Sequence, residues 1–182
     1  KGTPPASLQG VWTVHDKSPW GSGFWHNINI QMNYWHAFSA NIAEAFDAYA
    51  EFFKAYLPEA EKNAKEWIAE TNPENADGDC GWIIGTGAFC FEVEGKNPNS
   101  HSGPGTGGLT AKMFCDAYDF TRDEEFLKNY AYPAVHGMAK FLKKTLRDYN
   151  GRKLCSFSAS PEQILSGEWV NEHKYQQYYH TV

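Results

Sequence analysis

The sequence predicts an all-α chain, part of a helical toroid whose long loops carry the function. Three observations predict it. Apolar residues recur at intervals of three and four in several segments. Residues that start and stop helices bracket those segments. Glycine-, proline- and asparagine-rich connections separate alternate helices, and loops held on a rigid scaffold are where binding and chemistry concentrate. The 182 residues suffice for one domain with a proper core.

The elements follow in order. Residues 1–36 read as extended and looped, punctuated by Gly10, Pro19, Gly21 and Gly23. Asn41 and Glu44 have the spacing of a capping box. Ile42, Phe46, Tyr49, Phe53 and Tyr56 then mark one apolar helix face. Pro58 restarts a second helix, PEAEKNAKEWIAET, whose polarity predicts a largely exposed rod. NPENADGDCG is a turn-rich loop. WIIGTGAFCFEVEG reads as a short strand or a buried irregular segment, with Glu92 and Glu94 as ordinary polar-face residues. KNPNSHSGPGTGG is a glycine-rich loop without the GK[ST] of a phosphate-binding loop. Leu109, Met113, Ala117 and Phe120 predict the next helix face. Asp123, Glu124 and Glu125 fall in the first turn of another, where acids suit the dipole. Pro133 opens a further helix with Val135, Met138, Ala139, Leu142 and Leu146 as its stripe and Gly151 just past its end. CSFSASPEQILSGEW is a loop that leads into a short helix.

Composition narrows the function. A net charge of −6 speaks against nucleic acid, which needs clustered Lys and Arg. No apolar stretch is long enough to span a bilayer, so no membrane partner is expected. The first residues, KGTPPASLQG, carry no apolar signal region, which fits a cytosolic protein or a chain that begins past a processed end. Cys80, Cys90, Cys115 and Cys155 form no CxxC pattern and read as free or buried thiols. The seven histidines make no helical i, i+4 pair, so no metal site is expected, and nothing calls for a cofactor. Aromatic residues are 16% of the chain, with seven Trp and ten Tyr. Such residues suit both a large core and a polar cleft in which sugar rings stack.

Two places could carry chemistry. In GFWHNINIQMNYW, Asn27 and Asn29 alternate with Ile28 and Ile30. In an extended segment the two amides would share one face and the isoleucines would anchor the other. They could equally satisfy backbone groups of a loop. In SASPEQ, Ser160, Pro161 and Glu162 stand as N-cap, N1 and N2 of a helix. Glu162 is then either a dipole-friendly acid or a carboxyl in an aromatic cleft, where burial favours its protonated form and suits it to general-acid work.

Taken together, LQGVW, PWGSGFWHNINIQMNYWHA, LTAKMFCDAYDFTRDEEFLKNYAYPAVHGMAKFL and SFSASPEQ resemble the catalytic domain of glycoside hydrolase family 95. These are inverting alpha-L-fucosidases, with alpha-L-galactosidases among them. The likeness runs in order from Leu8 to about Gln163. It implies an (alpha/alpha)6 barrel, with residues 1–182 forming the N-terminal portion of a single, incomplete catalytic domain. It implies an exo-acting enzyme on a terminal alpha-L-fucosyl or related L-sugar of an oligosaccharide. Glu162 would protonate the departing oxygen. Asn27 and Asn29 would hold the attacking water, with an aspartate from later in the chain supplying basicity. That aspartate has no counterpart before Val182, so the remainder of the barrel is an expected partner. Trp25, His26 and Trp82 would contact the sugar, Trp82 as a stacking platform. Extracellular or periplasmic location is implied by family habit alone.

His36 stands where members commonly have proline, and GWIIGTGAFCFE replaces a histidine-bearing stretch, which leaves fucose and L-galactose both open. A non-catalytic carbohydrate-binding or structural fragment of the same fold is the alternative. A phosphorylase of similar architecture would need a basic phosphate cradle, and none is apparent here.

Overall fold

A computed structural model describes residues 3–10, 12, 14–85, 87–89, 92–93, 104–158 and 178–181. Glu162 and Glu94 lie outside the described residues, as does Cys90.

Three long helical rods make the core. Helix α1 (Asn29–Met32) is a single turn, and α2 (Asp47–Thr71) is the first rod. Helix α3 (Thr106–Thr121) is the second. The third runs through α4 (Glu124–Phe126), a π-helical turn (Leu127–Ala131) and α5 (Tyr132–Lys144). The fold is therefore an all-α fragment of paired helices, consistent with part of a toroid. The described residues hold too few helices for a ring of six pairs.

The α2 face predicted from Phe46, Tyr49, Phe53 and Tyr56 is buried, but Ile42 is partly exposed. The helix does not begin at an Asn41 cap. Asn41 takes a left-handed φ of 59°, and a 3-10 turn (Ala43–Phe46) leads into α2 without a side-chain cap. Pro58 does not restart the chain either; it sits inside one 25-residue helix. Proline removes the hydrogen bond to the carbonyl four residues earlier. Here Lys54 and Pro58 both lie on the exposed side of the helix. Apolar burial continues past it through Ala60, Ala64, Trp67 and Ile68, against the expectation of an exposed rod.

Helix α3 is rotated from its predicted face. Leu109 and Phe120 are exposed, while Thr106, Thr110, Met113, Phe114 and Ala117 are buried. Phe114 packs on Phe53 with ring centroids 4.8 Å apart and on Phe46 at 5.2 Å. Arg122 ends α3 in the left-handed region, and Asp123 caps the next helix by accepting from the Glu125 and Phe126 amides at 2.9 and 3.0 Å. Along α5 the buried stripe is Ala134, Met138 and Phe141; Ala139 is exposed.

Leu146 is not helical. Helix α5 stops at Lys144, and β3 (Leu146–Tyr149) pairs antiparallel with β4 (Arg152–Ser158), which pairs with β5 (Tyr178–Thr181). Asn150 and Gly151 join β3 to β4 with φ of 50° and 75°. Two consecutive left-handed residues make the turn that matches strand twist, so Gly151 closes a hairpin rather than a helix. Asn72 seals the junction. Its Nδ2 donates to the Lys144 carbonyl at 2.7 Å, and its Oδ1 accepts from Arg147 Nε at 2.9 Å.

The segment after α2 divides as its composition suggests. Trp82, Ile83 and Ile84 are buried and irregular. β1 (Ala88–Phe89) then pairs antiparallel with β2 (Glu92–Val93).

Candidate functional site

The asparagine pair sits where the N-terminal loops meet α1. Those loops are tied down on both sides. Leu8 N–H donates to the Gly23 carbonyl at 3.1 Å, Ala6 N–H to the Tyr34 hydroxyl at 3.0 Å, and the Ser7 and Ser22 hydroxyls meet at 2.9 Å. Trp25, half-buried, donates its indole N–H to the Trp20 carbonyl at 3.1 Å.

From there the chain turns instead of extending. Residues 26–28 form a turn and Asn29 opens α1. The strand geometry expected for NINI is therefore replaced by a turn. Asn27 and Asn29 are both half-buried, with Ile28 between them. Ile30 is buried as expected, but Ile28 is 40% exposed, because a turn does not return alternate side chains to one face.

Beneath the turn lies a polar knot that sequence reasoning missed. Gln31 is fully buried, and its Nε2 donates to the His26 carbonyl at 2.6 Å and to Thr110 Oγ1 at 3.3 Å. Tyr49 and Tyr56 from α2 close the same region, their hydroxyls buried and their pKa values pushed up by desolvation. The available signal was a third amide side chain, Gln31, directly after the NINI run.

His26, expected from the resemblance to contact the sugar, is buried in the core. Its ring is completely buried, stacked on Phe52 at 6.2 Å and tilted to Tyr49 at 5.9 Å. Burial drives its pKa down to about 3, against a smaller opposing influence of the Phe24 backbone. The unfolded imidazole binds a proton below its ordinary value near 6.5, whereas the folded one stays neutral until about pH 3. Stability is thus fully present above pH 6.5 and is lost as pH falls through that window, by at most about 1.4 kcal/mol per pH unit. Urea midpoints at pH 7 and 4.5 test this: the wild type should lose more stability between them than His26→Phe, and equal losses would contradict it.

Trp82, the expected stacking platform, is buried as well. It is 1% exposed, donates its indole N–H to the Ala134 carbonyl at 2.8 Å and packs edge-on to Phe53 at 5.0 Å. Gly107 and Gly137 approach its ring so closely that a Cβ at either would lie 3.0 Å or less from it.

Elsewhere, a cleft of about 810 Å³ is lined by Glu44, Asp47, Glu51, Phe126 and Tyr130, and holds none of the predicted site residues. Tyr130 donates its hydroxyl to Glu51 there. Among the described residues Cys80, Cys115 and Cys155 form no disulfide. Among the described residues no three His, Cys, Asp or Glu side chains cluster to hold a metal, and no helix is long and apolar enough to cross a membrane.

"Alpha-L-fucosidase 2" of Arabidopsis thaliana is 28% identical over 91% of this chain, and "Probable alpha-fucosidase A" of Aspergillus niger is 23% identical over 81%. The chain spans about one fifth of the length of these curated relatives, 19% and 18% respectively. The glycosyl hydrolase family 95 catalytic domain matches it over residues 1–181, and a match of that extent means that the chain belongs to this family.

Proposed function

We propose that this chain is the N-terminal portion of an (alpha/alpha)6 catalytic domain. The enzyme removes a terminal alpha-L-fucosyl or related L-sugar residue from an oligosaccharide with inversion. The observation that carries this reading is the family match across residues 1–181, which includes the paired asparagines and SASPEQ. The printed names of both relatives are those of alpha-fucosidases.

In this reading Glu162 is the general acid. Asn27 and Asn29 hold the water that attacks from the opposite face of the sugar, as an inverting reaction requires. Amides are weak bases, so a carboxylate from the rest of the chain supplies basicity through them. Trp25, beside the turn, stays a candidate sugar contact.

Exposed apolar residues support the view that more chain packs here. Ile28, Met32 and Trp35 are 40, 51 and 48% exposed at intervals of four and three beside the asparagines, and Trp20 is 72% exposed. A contiguous apolar surface ordinarily meets another protein surface. The family resemblance supports an extracellular or periplasmic setting.

Proton NMR of the anomer released from a 2-linked fucosyl oligosaccharide tests the proposal. The full-length protein should release the beta anomer. Release of the alpha anomer would contradict inversion. Failure on both fucosides and L-galactosides would favour a non-catalytic carbohydrate-binding or structural role.

A further inference from the structure

We infer that Gln31 is a positioning residue for the attacking water, acting through the peptide that precedes Asn27 and braced by Thr110. The inference rests on the reading of Asn27 and Asn29 as the water-holding pair.

The reason begins in the backbone. In a regular helix the His26 carbonyl would accept from the amide of Ile30. Here Ile30 N–H donates to the Trp25 carbonyl at 3.0 Å instead. The His26 carbonyl is left over, inside the protein, where an acceptor needs a donor. Gln31 supplies it from its side chain at 2.6 Å. That carbonyl belongs to the amide plane shared with the Asn27 nitrogen, so fixing it fixes the orientation from which the Asn27 side chain departs.

The glutamine is itself held. The same Nε2 has a second proton, which goes to Thr110 Oγ1 at 3.3 Å. Thr110 is fully buried on α3, one of the three rods. The amide cannot be turned over, because its oxygen would then face the His26 carbonyl oxygen. The His26 ring, wedged against Tyr49, Phe52 and Tyr56 of α2, fixes the other end of the same residue. The turn bearing the asparagines is thus tied to α3 through Gln31 of α1 and to α2 through the His26 ring.

Positioning acts on the chemical step more than on sugar binding. Displacing a reacting group by about 1 Å can cost on the order of a hundredfold in rate. In the full-length protein, Gln31→Met keeps the side chain's length and removes both donated bonds. It should lower kcat by roughly 30- to 100-fold with KM within about twofold. Thr110→Val should lower kcat by roughly three- to tenfold, and Thr110→Ser, which keeps the acceptor, should restore it.

Asn27→Ala, measured beside them, separates the two ideas. If it cuts kcat while Gln31→Met leaves kcat within about twofold of wild type, the positioning role is overturned and the water-holding reading stands. If Asn27→Ala leaves kcat unchanged, the reading fails and the inference fails with it. Should Gln31→Met not fold, the threonine pair decides: equal kcat in Thr110→Val and Thr110→Ser overturns the inference.

Discussion

Glu162→Gln in the full-length protein is expected to lower turnover of a natural fucosyl oligosaccharide by roughly 10²- to 10⁴-fold, the usual worth of a general acid. The glutamine fills the same space and keeps a hydrogen bond to the glycosidic oxygen, but it cannot deliver a proton. The loss therefore depends on how badly the leaving group needs one. A sugar hydroxyl leaves as an unstable alkoxide unless protonated. An activated phenol leaves as a stable anion, so the same variant should lose only about tenfold or less on an aryl fucoside. The pH profile provides a second reading. The alkaline limb of kcat, which reports deprotonation of the acid in the complex, should vanish in the variant. Equal losses on both substrates, or an unchanged alkaline limb, would remove Glu162 from the acid role. Asn27→Ala distinguishes the partner function, because poor water placement slows hydrolysis whatever the leaving group.

Parts of this architecture were legible in the sequence because local pattern and tertiary packing agreed. Phe46, Tyr49, Phe53 and Tyr56 repeat at helical intervals, and all four are buried along α2 and the turn that leads into it. Asp123 reads as a helix start and caps one. Other parts were not legible, because a distant partner decided between two local options. Asn-Gly at positions 150 and 151 follows a helix with a basic last turn, which suits a C-cap. It also begins a hairpin, and pairing of β3 with β4 selects that outcome. Pro58 looks like a break until one knows that apolar contacts continue on both sides of it. NINI alternates like a strand, yet the tie between Gln31 and the His26 carbonyl accompanies a turn into α1. Trp82 had the chemistry of a sugar platform; only the close approach of Gly107 and Gly137 reveals it as core. The family motifs located the asparagines, and packing assigned their neighbours.

Gly81→Ala is expected to be among the most damaging single substitutions to stability. Two separate costs meet at this position. Gly81 has a φ of 69°, where an ordinary residue is strained by about 1–2 kcal/mol. A Cβ there would also overlap the Gly137 carbonyl oxygen and lie 2.8 Å from the Phe141 nitrogen. Both neighbours are backbone of α5, so neither can swing aside as a side chain would. Relief requires moving α5 away from the segment that carries Trp82, and Trp82 is bonded to Ala134 on that same helix. The summed loss should reach about 4 kcal/mol or more, in the range reserved for disrupted cores. Gly78→Ala is the internal control. Its φ is 60°, but a Cβ there meets nothing within 4 Å, so it bears the conformational cost alone. Urea denaturation of the full-length protein, followed through the near-ultraviolet signal of the tryptophans, should show the Gly81 variant losing at least twice the stability of the Gly78 variant. Comparable losses would mean that α5 yields easily, and that close packing of backbone on backbone is not what fixes Trp82 in the core.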